Sequence, residues 1–192
     1  MDGAPRIRPR SRAAWRAWLE SHHARRGGVW VVIDRKGRGR PNLAAADVSE
    51  EALCFGWIDS LPRKRDEATW MLYVAPRKPR SVWSALNKRR LARLAAEGRV
   101  APAGIAAAER ARENGSWSAM DRAEALEVPP DLAAAFRRAP AAVRAGWDGF
   151  PPSARRGLLG WIDLARRPAT RGARIERVVA MAAAGRPPRL ER

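Results

Sequence analysis

Residues 27–33 read Gly-Gly-Val-Trp-Val-Val-Ile, and residues 68–74 read Ala-Thr-Trp-Met-Leu-Tyr-Val. Both runs are rich in β-branched and aromatic side chains and are shorter than an ordinary helix, so both read as strands. The first has no polar residue between Val29 and Ile33, which is the composition of a buried strand. Elsewhere the apolar residues recur at helical spacing. Two strands in a largely helical chain make the fold α+β: a small sheet covered by helices, with an all-helical C-terminal annex.

Upstream of the first strand, residues 1–10 read as a frayed basic arm. Ser11 caps a helix over about 12–26, with Trp15, Trp18, Leu19 and His22 on one face. Arg35 to Pro41 is a basic, Gly-containing loop. Asp47 caps a helix over 48–55 that stops at Gly56, and Trp57-Ile58-Asp59 follows as a short extended piece. Beyond the second strand, Pro76 and Pro79 punctuate a basic loop. Ser81 caps a helix over about 82–97, and Pro102 opens another over 102–113. Residues 115–130 read as loop. These boundaries give an α+β domain over 11–128 and a helical region over 129–186. The helical region is read as helices at about 131–138, 140–147 and 154–166. A last helix follows Pro168, capped by Thr170. Gly-Trp-Ile-Asp occurs twice, at 56–59 and 160–163. The flanking patterns differ, so this is coincidence and not an internal repeat.

The chain has 192 residues, of which 46% are hydrophobic, enough for a real core. Its 38 basic residues against 20 acidic ones give a net charge of +18. That field attracts anionic partners, nucleic acid among them. The competing reading is coding bias, since 34 of the basic residues are Arg and 39 residues are Ala. The excess is clustered, with ten basic and two acidic side chains over residues 61–93. Cys54 is the single cysteine, which excludes an intramolecular disulfide and a Cys-rich zinc site. No stretch approaches the ~20 apolar residues of a membrane span, and no apolar export segment follows the basic N-terminus. The expectation is a cytoplasmic protein. No metal site is expected, and no Gly-rich phosphate loop, dinucleotide fingerprint or nucleophile elbow points to a cofactor.

Candidate site residues fall in three places. Trp57, Asp59 and Asp66 join an indole to two carboxylates, which as a pair could do acid/base work. Arg77, Lys78, Ser81, Trp83 and Asn87 form a basic loop feeding a helix N-terminus, a workable anion site. Arg77 and Lys78 would hold the anion, Trp83 would wall it, and Asp59 would orient it. Arg38-Gly39-Arg40-Pro41 matches the core of an AT-hook, so Arg38 and Arg40 carry the nucleic-acid alternative. His22 is expected at the core boundary and His23 in solvent. Cys54, near a helix C-terminus, is expected to be a buried, inert thiol. Trp117, in a Gly-Ser loop, has the least obvious structural role.

Several blocks together resemble the YdeI/OmpD-associated (OmdA-like, bacteriocin-protection) family. They are Trp15 to Leu19 with Gly28-Val29-Trp30, and the run Ala52-Leu53-Cys54-Phe55-Gly56-Trp57-Ile58-Asp59-Ser60. Next come Pro76-Arg77-Lys78-Pro79 with Ser81, Trp83-Ser84 and Asn87, then Pro102-Ala103-Gly104 and Gly115-Ser116-Trp117. The helical region adds Pro152-Ser153, Trp161-Ile162, Ala165-Arg166-Arg167-Pro168, Thr170-Arg171 and Arg174-Ile175. The resemblance covers about 12–185. It implies roles in envelope stress and antimicrobial-peptide tolerance for some members, with no settled reaction. The family name also suggests a periplasmic association, from which this chain departs in showing no export signal. The resulting expectation is a stress- or resistance-associated protein that binds an anionic or amphipathic small ligand. Nucleic-acid binding and an enzyme built on Asp59 and Asp66 are the alternatives.

Overall fold

The computed structural model describes residues 3–35 and 42–187. The chain forms two compact units, Met1–Ser81 with Leu86–Trp117 and Val82–Ala85 with Ser118–Arg192. The architecture is α+β, with one four-stranded sheet in the first unit and a helical second unit.

The first unit runs β1 (Arg6–Ile7), α1 (Arg12–His22), β2 (Val29–Asp34), α2 (Ala45–Cys54), β3 (Trp57–Lys64), β4 (Thr69–Pro76), α3 (Ala85–Ala96) and α4 (Pro102–Glu113). Ala85, the first residue of α3, falls to the second unit. The sheet order is β1-β2-β4-β3. β2 and β4 are the two strands of the opening motif. They pair antiparallel, with Val31 opposite Leu72 and Trp30 opposite Tyr73. Val29, Val31, Ile33, Leu72 and Val74 are buried on one face. Trp30, Val32 and Met71 are buried on the other, with Ala4 and Tyr73 packed against them. Burial on both faces is why the strand shows no alternation.

Two strand features depart from expectation. The supposed frayed arm contributes β1, which pairs parallel with β2 through Arg6 and Ile7. Two residues carry no periodicity, so only the open edge of β2 reveals it. β3 extends to Lys64, well beyond Asp59, with a register shift between Asp59 and Pro62. Its outer half is exposed, so no apolar pattern announces it. Proline is tolerated because β3 is an edge strand.

The helices begin and end differently from their expected bounds. Ser11 caps α1 through Ala14 N–H at 3.2 Å, as expected. α1 closes at His22, where the His23 amide donates to Leu19 O. α2 starts at Ala45, so Asp47 sits inside its first turn and accepts from the Ala44 amide at 3.2 Å. α3 starts at Ala85, so Ser81 is not its cap.

The second unit contains α5 (Asp121–Glu124), α6 (Pro130–Arg138), α7 (Ala141–Asp148), α8 (Pro152–Asp163) and α9 (Pro168–Ala183). α6, α8 and α9 each open on proline, whose missing N–H is no loss in a first turn. Arg167 precedes α9 as its N-cap, which places Thr170 inside the helix. Leu132, Phe136, Val143, Trp147, Phe150, Leu158, Leu159, Ile162, Ile175 and Val178 form the core. A side chain on Gly146 would meet Ala182 O at 2.1 Å, so α7 and α9 cross in backbone contact.

Candidate functional site

Glycine sets the geometry of the turn from α2 into β3. Gly56 has φ +74°, and a Cβ there would lie 2.9 Å from Ala103 O. A Cβ on Gly104 would lie 2.3 Å from Cys54 O. The end of α2 and the first turn of α4 are therefore in backbone contact, and the Ala101 amide donates to Cys54 O at 3.0 Å. The Arg77 amide donates to Gly56 O at 3.0 Å, which draws the end of β4 to the same place. Trp57 is buried, and its indole N–H donates to His23 O at 2.9 Å.

These contacts surround a cavity of about 250 Å³, lined by His23, Phe55, Trp57, Pro76, Arg77 and Arg110, with Ala24, Gly56, Ala103 and Ala106 between them. His23 is half-buried and its ring lies 5.6 Å from that of Phe55. Burial pushes the Arg77 guanidinium down to about 10, and the charge of Asp59 opposes that fall. Arg77 is still a cation at neutral pH. The lining is thus two guanidinium groups and an imidazole against two aromatic walls, with no carboxylate among the described lining residues. The cavity also lies beside the N-terminal half of α4, where the helix dipole favours negative charge.

Of the residues singled out in the sequence, Trp57 and Arg77 meet at this cavity, with Asp59 close enough to Arg77 to act on its charge. Lys78 is exposed, and its carbonyl accepts from the Ser81 amide in a turn. Asn87 lies half-buried on α3. Trp83 is buried and belongs to the second unit. Ser81 is not the N-cap of the helix, because α3 starts at Ala85 and not at about residue 82. Asp66 is in the β3–β4 turn, where it accepts from the Ala68 and Thr69 amides and from Thr69 Oγ1. The Thr69 and Ala68 bonds hold its carboxyl below the usual range. Asp59 and Asp66 stand at opposite ends of a strand, so the structure does not assemble them as an acid/base pair. Arg38 and Arg40 lie outside the described residues.

His23 and Arg110 were missed. Arg110 follows Ala103 and Ala106 at i, i+3, i+7, and that shared face was a legible signal. The histidine assignments are reversed. His22 is exposed and stacks on Trp18 at 4.5 Å, because α1 ends there and turns His23 inward. Trp117 lies between two cations, Lys88 Nζ at 5.3 Å and Arg112 Cζ at 4.5 Å from its ring.

A second charged assembly holds α1, α2 and the chain after α3 together. Glu51 is fully buried. Its Oε1 accepts from Arg12 Nε at 2.6 Å, its Oε2 from Arg16 Nη1 at 2.9 Å, and Arg99 pairs with it as well. Arg12 also reaches Asp47 at 2.9 Å and Glu50 at 2.8 Å. Burial would lower Arg12, but its bonds to Glu51 and Glu50 outweigh this and raise it. Here the cations and carboxylates satisfy one another, so the assembly ties elements together. Cys54, one turn on from Glu51, is buried, and burial and the Glu51 charge push its thiol up.

Residues 7–107 match the family described as a domain of unknown function (DUF8412). Residues 125–185 match the family described as bacteriocin-protection, YdeI or OmpD-associated. The Ala52-to-Ser60 block and the cavity lining from His23 to Ala106 lie within the first match, and Arg110 lies just beyond it. No curated protein and no solved structure matches the chain. The chain therefore belongs, over more than half its length, to the DUF8412 domain family, and the stretch behind that domain is similar to the YdeI or OmpD-associated bacteriocin-protection family.

Proposed function

We propose that this is a bacteriocin-protection-associated protein whose first unit binds a small anion with an apolar body, such as a carboxylate on a ring or short chain. The observation that carries this reading is the lining of the cavity, which brings the Arg77 and Arg110 guanidinium groups and the His23 ring together beside Phe55 and Trp57. Phe55 and Trp57 supply the apolar wall. Arg77 is the anchor, because a guanidinium removed from bulk water attracts an anion more strongly than one in solvent. Arg110, on an exposed helical position, closes the charge from the other side. Asp59 holds Arg77 charged and oriented.

Isothermal titration of the full chain with benzoate and with inorganic phosphate tests the reading. Benzoate should bind at one site and more tightly than phosphate, because only benzoate uses the aromatic walls. Arg110→Gln should weaken benzoate about 10-fold, the size of one lost charge-assisted hydrogen bond. Arg77→Gln should weaken it further. An affinity that neither substitution changes would remove the cavity as the site.

A further inference from the structure

We infer that the second unit carries a separate groove for a medium-chain alkyl carboxylate. α8 and α9 border a cleft of about 470 Å³ lined by Met120, Leu158, Trp161, Leu164, Arg177 and Met181, with Gly157 and Gly160 also on its wall. That is the size of an ordinary small-ligand site. The two glycines stand three residues apart on α8 and so share one face, a strip of the helix with no side chains of its own. Met120 already fills the space over Gly160, where a Cβ would lie 2.4 Å from its methyl carbon. The remaining wall is apolar and, apart from the Trp161 ring, soft, since two unbranched thioether side chains adapt to a flexible chain better than a rigid wall does. Leu164 is 44% exposed at the cleft, a large apolar side chain left in water at the C-cap of a helix whose leucines are buried.

The charge of the cleft selects the head group. Arg177 is its single charged lining residue, and it has no hydrogen bond or ion pair among the described residues. One turn back on α9, Arg174 stacks on the Trp161 ring at 4.9 Å and donates to Trp161 O, fixing one side of the indole. No carboxylate lines the cleft among the described residues. An alkyl chain lying over Gly157 and Leu158 with a terminal carboxylate on Arg177 satisfies both the apolar wall and the cation at its rim. A quaternary ammonium of the same length would place its charge against Arg177.

The test is calorimetric titration of the full chain with sodium decanoate below its micellar concentration, beside decyltrimethylammonium at the same chain length. Decanoate should bind one-to-one at this groove, with the ammonium at least about 10-fold weaker. Arg177→Gln should weaken decanoate about 5-fold or more. Gly157→Leu, which puts a side chain on this strip, should abolish binding at the groove. Leu164→Gln provides a second apolar variant at an exposed position, so a folding defect in Gly157→Leu would not hide the result. Equal affinity for the two head groups, or decanoate binding unchanged in Arg177→Gln and Leu164→Gln, would overturn the proposal. So would binding only to phosphatidylglycerol vesicles, or a concentration-dependent dimer that Leu164→Gln dissolves, since either would make the groove a contact for a different occupant. Benzoate titrated into Arg177→Gln should behave as with the wild type, which separates this groove from the cavity of the first unit.

Discussion

Glu51 is the side chain on which the first unit's charged assembly converges. Its carboxylate is fully buried, and Arg12, Arg16 and Arg99 all bond to it. Glu51→Gln removes the countercharge while the three guanidinium groups stay, and breaking a buried pair in this way costs about 3–5 kcal/mol. Urea unfolding should show that loss, and a change under about 1 kcal/mol would mean the cluster is worth no more than surface pairs. None of this was legible in the sequence, because the partners come from residues 12, 16 and 99. Asp66 is the opposite case. Its partners are two and three residues downstream, so the Asp-x-x-Thr pattern of a turn was present in the sequence. In the second unit Asp131 is held below its ordinary value first by its bonds to Arg171. Its folded pKa lies below its unfolded one, so the stabilisation is complete above the ordinary Asp value of 3.8 and is lost as pH falls through the lowered folded value. The stability deficit of Asp131→Asn against the wild type should therefore shrink below about pH 4. A deficit constant from pH 7 to pH 2 would contradict the linkage.

At the scale of elements, the strands and helices most visible in the sequence are those whose residues are buried along their length. Val29 to Ile33 is such a strand, and Ile175 with Val178 marks such a helix. β1 and the outer half of β3 were not legible, since one is two residues long and the other is exposed. Gly-Trp-Ile-Asp makes the limit concrete. At 56–59 it opens on a left-handed Gly56 and enters an edge strand, and at 160–163 it completes α8. Four residues do not choose between strand and helix, and the elements around them do. The glycines that allow close crossings are the most sensitive points. Gly146→Ala would drive a methyl into Ala182 O, 2.1 Å from an ideal Cβ, and neither helix backbone yields easily. The overpacking should cost about 1–3 kcal/mol or more, read as a lower thermal midpoint. Gly172→Ala, on α9 with open space around it, should be neutral or stabilising.

At the scale of the whole molecule, two compact units make two partly independent predictions. Gly146→Ala acts on the second unit, so it should lower stability there and leave benzoate affinity at the first unit's cavity unchanged, measured well below the unfolding midpoint. A parallel loss of both would show the units to be one cooperative body. The net charge of +18 was plain in the sequence, but its meaning was not. Folding commits Arg12, Arg16, Arg93 and Arg99 to Asp47, Glu50, Glu51 and Glu97, and the charge that defines the cavity rests on two arginines far apart in sequence. Half of the candidate site was therefore readable, Trp57 and Arg77, and the half supplied by α4 and the end of α1 required the fold. The most direct measurement is a two-dimensional amide and indole NMR titration of the full chain with benzoate. The account predicts saturable shifts at Gly56, the Trp57 indole N–H, Arg77 and Ala103, weakened about 10-fold by Arg110→Gln. Shifts confined to other residues, or none at saturating benzoate, would contradict it.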